Sequence, residues 1–115
     1  MPEPIDVARS IAELASDALA TNITVLDIGK LSVIADMFVV CSADNSRQLR
    51  AVQEDVTEGL LEHGIRPLRV EGTSETGWIL LDYGDVVVHL FTEDQRQFYR
   101  LEDLWSEAPR LLVIQ

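Results

Sequence analysis

Few residues in this sequence are of the kinds that usually carry chemistry. Cys41 is the sole cysteine, so no intramolecular disulfide and no cysteine-based metal cluster can form. It ends an apolar run with no activating base beside it in sequence, and it reads as a small buried hydrophobe. His63 and His89 are too far apart for a zinc spacing. The glycines never make a G-x-G-x-x-G or phosphate-loop pattern. All fit turns or helix stops except Gly59, which suits close packing inside a helix. Asp82 and Asp85 straddle a presumed turn, and Glu102-Asp103 lies in a presumed helix. Neither pair has the Asp-x-Asp alternation that sets two carboxylates on one strand face for metal-dependent phosphoryl transfer. No catalytic residue, cofactor or metal is expected.

Basic residues are scarce as well. Nine Lys and Arg face twenty Asp and Glu, for a net charge of −11. Such a surface repels phosphate backbones unless basic side chains are concentrated in a patch. Arg47 with Arg50, and Arg66 with Arg69, read as solvated ends of elements. Direct sequence-specific nucleic-acid binding is therefore not expected, and a basic protein partner suits the charge better. No apolar stretch approaches the roughly 18 residues that span a bilayer. The opening Met-Pro-Glu-Pro-Ile-Asp lacks a basic region followed by an apolar run. The expectation is a soluble cytoplasmic protein with no membrane association.

What the sequence does hold is a core. With 47% hydrophobic and 25% charged residues in 115, residues 1–115 read as one ordinary domain. Val7, Ile11, Leu14 and Ala18 mark a helix from about Ile5 to Ala20. Ile23 to Leu26 reads as a strand. Met37 to Cys41 is continuously apolar and suits a central strand covered on both faces. Ser42 to Ser46 offers caps for a helix to His63 with Leu49, Val52, Val56 and Leu60 on one face, stopped by Gly64. Pro67 to Glu71 reads as a short strand, and Gly72 to Gly77 as a loop. Trp78 to Asp82 and Val86 to Phe91 form a hairpin about Tyr83-Gly84-Asp85. Thr92 to Gln95 has a capping-box pattern opening a helix to about Leu104. Arg110 to Ile114 packs back as a strand or extended arm. The class is α/β, a mixed sheet with helices packed on it.

The hairpin carries the sharpest functional signal. Alternation puts Trp78, Leu80 and Asp82 on one face and Ile79, Leu81 and Tyr83 on the other. Either the Trp78 face is an interface with apolar anchors and an acidic rim, or Trp78 packs beneath the C-terminal helix. The same turn brings His89 within range of Asp82 or Asp85 for a His–carboxylate pair.

Glu71-Gly72 with the stretch Gly77 to Phe91, and the continuation Arg96-Gln97-Phe98-Tyr99-Arg100-Leu101-Glu102-Asp103-Leu104-Trp105, closely resemble the Iojap family of ribosomal silencing factors. Ala35 to Ser42 and Ser46 to Leu49 resemble it too. The resemblance implies a translation repressor that binds the large ribosomal subunit through its ribosomal protein fourteen, blocks joining of the small subunit, and acts under nutrient limitation. It also implies a fold similar to nucleotidyltransferases without their catalytic residues, and homodimers in some relatives. Placed on the hairpin pattern, it nominates Trp78 and Leu80 as apolar anchors. Glu71, Asp82 and Asp85 are the acidic contacts, with Tyr83 a lesser one. The alternative is a nucleotide-binding or nucleotidyl-transferring enzyme that keeps an ancestral pocket.

Overall fold

Helical periodicity at the start of the chain becomes α1 (Pro4–Asp17), with proline in its first turn where a missing N–H costs nothing. The computed structural model describes residues 3–115. The face that α1 buries is made of Ala8, Ile11, Ala12 and Ala15, while Val7, Leu14 and Ala18 pack at its margin. Three of these four are alanines, and Ile11 is the one fully buried residue of the expected stripe. The helix stops earlier than the expected Ala20, because Leu19 turns left-handed (φ 69°). The Leu19 N–H then donates to Ser16 O and the Ala20 N–H to Ala15 O, both at 2.9 Å. These two bonds satisfy carbonyls that the helix end would otherwise leave open.

The chain continues into β1 (Thr21–Asp27), β2 (Met37–Ala43) and α2 (Ser46–Leu61). Asn45 caps α2 by accepting the Gln48 N–H at 2.9 Å, and Gly64 (φ 75°) follows the helix as its stop. Gly59 faces α1: a Cβ there would lie 2.6 Å from a Leu14 methyl, so the two helices meet at a residue without a side chain. Then come β3 (Arg69–Thr73), β4 (Trp78–Asp82), β5 (Val86–Thr92), α3 (Glu93–Tyr99), α4 (Leu101–Leu104) and β6 (Arg110–Ile114).

Six strands form one sheet in the order β3-β4-β5-β2-β1-β6. Only β2 and β5 run parallel, and every other neighbouring pair is antiparallel. Every residue of β2 is buried, as a central strand covered on both faces requires. On one side, α1 and α2 cover Val39, Cys41, Ile79, Leu81, Val88 and Leu90. On the other lies a smaller cluster around Leu26, Phe38, Val40, Val87 and Phe91, with Trp105 and Leu101 against it. No helix among the described residues is long and apolar enough to cross a membrane.

Three sequence expectations are corrected. Residues 72–77 are not one open loop: β3 runs to Thr73 and a short 3-10 turn fills Ser74–Thr76. The pattern at Thr92 makes no side-chain cap. The single helix expected to Leu104 breaks at Arg100, which is left-handed (φ 49°) and separates α3 from α4.

Candidate docking face on the second side of the sheet

Cross-strand register builds this face. Glu71 pairs with Leu80 and Leu80 with His89, so these three side chains share one row across β3, β4 and β5. The neighbouring row holds Trp78 opposite Phe91. The packing of Trp78 lies between the exposed and the covered arrangement that the hairpin pattern left open. Trp78 and Leu80 are half-buried, packed at the edge of the second-side cluster, yet both still reach the surface. Tyr99, from the end of α3, leans on Trp78 with ring centroids 4.4 Å apart, and Phe91 stacks beneath at 5.0 Å. Glu71, Gly72, Thr76, Trp78, Leu80 and Tyr99 enclose a groove of about 290 Å³. Its floor is apolar and its rim carries a carboxylate.

Gly72 shapes that groove. It holds φ +82°, and a Cβ there would stand 2.1 Å from the Trp78 carbonyl oxygen. Only glycine allows β3 to pass so close to β4 at this point. The Thr76 hydroxyl donates to Thr73 O at 2.7 Å, closing the turn above it.

The six residues nominated from sequence are not all brought together. Glu71, Trp78 and Leu80 line the groove. Asp82 lies on the same strand face but is engaged locally: Oδ1 accepts the Gly84 N–H at 2.8 Å, and Oδ2 is 3.4 Å from Arg69. Arg69 also reaches Glu71 at 3.5 Å, so one exposed cation sits between two of the acids. Such exposed pairs contribute little and exchange easily. Asp85 is exposed at the hairpin tip, where its backbone carbonyl accepts from Asp36 and Met37. Tyr83 lies on the opposite side, against the α1–α2 core. Burial pushes its phenol up to about 12, and among the described residues its hydroxyl has no hydrogen-bond partner.

The His–carboxylate pair does not form. His89 shares the Leu80 row, inside the aromatic cluster. Its Nδ1 accepts the Trp78 indole N–H at 3.3 Å, and its Nε2 is buried without a partner among the described residues. Phe38 meets its ring edge-on at 4.7 Å. Burial lowers its pKa to about 4. Cys41 is buried on the helix-covered side, and burial raises its thiol to about 12 although the charge of Arg96 pulls the other way.

Sequence reasoning missed Tyr99, Thr76 and Gly72 as groove residues. Tyr99 belongs to an element of different periodicity, and it meets Trp78 only through the way α3 sits on the sheet. The glycine at position 72 was the available signal, and a presumed loop concealed it.

The comparisons agree with this architecture. A family profile described as "Ribosomal silencing factor during starvation" matches residues 1–114. The chain is 37% identical over 103 residues to the ribosomal silencing factor RsfS of Bacillus subtilis, covering 90% of this chain and 87% of that one. It is 34% identical to the chloroplastic protein Iojap of Zea mays, over 92% of this chain and 46% of the maize protein. An X-ray structure of a protein from Chromobacterium violaceum superposes with a TM-score of 0.87 at 31% identity, covering 91% of this chain and 88% of the other. With a profile match along nearly its full length and the same fold in a solved relative, the chain belongs to the ribosomal silencing factor family.

Proposed function

We propose that this chain is a ribosome-associated translation repressor. In this reading it binds the large ribosomal subunit through ribosomal protein fourteen and sterically blocks the small subunit, silencing translation when nutrients are limiting. The observation that supports the docking site best is the groove between β3, β4 and Tyr99. Trp78 and Leu80 give it an apolar floor, and Glu71, Asp82 and Asp85 place carboxylates along and beyond its rim. Aromatic anchors in a partly desolvated pocket dominate the energetics of protein interfaces. The surrounding negative field, from a net charge of −11, speeds encounter with a basic protein.

The proposed mechanism makes and breaks no bond. Repressor and small subunit compete for one surface, so inhibition depends on the concentrations of both. A homodimer using the same groove would have to dissociate before docking.

The test is sedimentation of purified large and small subunits with and without the protein. Comigration with large subunits and loss of whole ribosomes is the expected result. Trp78→Ala and Asp82→Lys, checked to be folded, should each reduce comigration. Unchanged binding by both variants would refute this face. Failure of the unaltered protein to comigrate, together with saturable binding of a nucleoside triphosphate and divalent metal, would favour an enzyme instead.

A further inference from the structure

We infer that Arg96, paired with Glu102, is a positioning residue that holds Tyr99 against Trp78 and so sets the shape of the docking groove. The inference rests on the docking reading above. α3 is seven residues long and has no fully buried side chain, so apolar burial does not fix its place on the sheet. Its anchor is polar. The Arg96 side chain is only 11% exposed, although the residue sits on a short surface helix. One guanidinium nitrogen donates to Asn22 O and, at 2.9 Å, to Ser42 Oγ. The other reaches Thr24 Oγ1 at 3.5 Å and Glu102 Oε2 at 2.8 Å, while Nε bonds the Glu102 carboxylate at 3.3 Å. All the donors of the fork are thus directed at β1, β2 and α4.

Glu102 completes the arrangement. Arg100 turns left-handed after α3, and this reversal brings α4 back so that its carboxylate lies beside Arg96. Burial alone would raise the Glu102 carboxyl, but its hydrogen bonds with Arg96 and the charge there hold it below its ordinary value. The pair therefore stays ionised, as suits a partly buried bidentate clasp. Tyr99 lies three residues after Arg96, about one helical turn on. When Arg96 is seated, Tyr99 forms one wall of the groove. Without it, α3 is held down at that end by the ring contacts of Tyr99 with Trp78 and Phe91.

The experiment combines a spectroscopic readout on the free protein with a mutant cycle on binding. Trp105→Phe leaves Trp78 as the only tryptophan. In that background, Arg96→Met should shift Trp78 emission and increase its quenching by acrylamide. Large-subunit affinity of Arg96→Met should fall about tenfold, in the range expected when an interface anchor is displaced. Tyr99→Ala should lose a similar factor. The double variant should be no weaker than either single one, because Arg96 acts through Tyr99. Glu102→Gln removes the charge but keeps an acceptor oxygen for Arg96, so it should lose a smaller but measurable part of the affinity, and only when Tyr99 is present; it serves as the milder variant if Arg96→Met does not fold. An equal loss from Arg96→Met, or from Glu102→Gln in its place, whether or not Tyr99 is present would overturn the inference. So would normal Trp78 quenching with normal affinity. If Trp78→Ala itself left binding intact, the docking reading would fall and this inference with it. If Trp78→Ala abolished binding while Arg96→Met did not weaken it, this inference alone would fall.

Discussion

The indole N–H of Trp78 is tied to Nδ1 of His89 across the β4–β5 pair, at 3.3 Å. The most prominent ring of the groove thus depends on a histidine that is 4% exposed. For Nδ1 to accept, the imidazole must be neutral with its proton on Nε2, a tautomer assigned from the hydrogen bond.

That dependence gives stability a pH slope. Burial lowers His89 to about 4, against about 6.5 in an unfolded chain. Between those values the unfolded state binds more protons, so stability is complete above about pH 6.5 and falls as pH drops toward 4. From pH 7.5 to pH 5 the loss should be about 2 kcal/mol. His89→Gln keeps an acceptor for the indole and does not titrate. Urea unfolding at both pH values should show a shallower fall in this variant. Equal slopes in the two proteins would contradict the account.

Two adjacent leucines should behave oppositely. Leu81 points into the α1–α2 core and is fully buried, whereas Leu80 is half-buried in the groove. Leu81→Ala should cost about 2–5 kcal/mol of folding stability. Leu80→Ala should cost clearly less, yet weaken large-subunit binding more than any Leu81 variant that remains folded. Denaturant midpoints and sedimentation separate the two effects, and reversed roles would mean that the assignment of hairpin faces is wrong.

Leu19 adopts a left-handed conformation at the C-terminal end of α1 and is 72% exposed, so its side chain gains little from packing there. Leu19→Gly should relieve about 1–2 kcal/mol of backbone strain, offset in part by the greater freedom of glycine in the unfolded chain. A rise of about 0.5–1 kcal/mol is expected from thermal unfolding. A lower melting temperature would show that the exposed leucine does more than the geometry indicates.

Cys41 should be inert in the native protein. Its thiol is buried and held near 12, so almost none is thiolate at neutral pH. Ellman's reagent should react only as fast as the protein opens, and fully once it is unfolded in denaturant. Rapid labelling of the folded protein would disprove the burial.

Much of the fold was legible because local pattern and tertiary outcome agree. Met37 to Cys41 reads as a central strand because it is apolar on both faces, and α2 announces itself by its cap, its stripe and Gly64. The hairpin alternation separated Leu81 from Leu80 correctly. It also put Tyr83 on the far side from Trp78, a division that the six nominated contacts did not respect. The break at Arg100 left no local signal, since residues 93–104 have continuous helical character. Apart from Glu102, the partners of Arg96 come from strand residues more than fifty positions earlier in the chain, which no local window of sequence contains. Trp78 was ambiguous for a similar reason: what covers it arrives from α3.

The order of strands also sets how the molecule is made. The only parallel pair joins Val39 to Val88, and the outermost pair joins Ile23 to Ile114. Contacts of such long sequence separation pay their loop-closure entropy before any stabilisation is returned, which slows folding. The α1–β1–β2–α2 half can collapse early on local contacts, but until β5 is synthesised β2 lacks its parallel neighbour. β6 comes last and covers the outer edge of β1, so a nascent chain halted before residue 110 carries that edge bare. Such an intermediate is prone to pair with other strands, so β6, the last of these strands in chain order, is also the one that covers the exposed edge of β1.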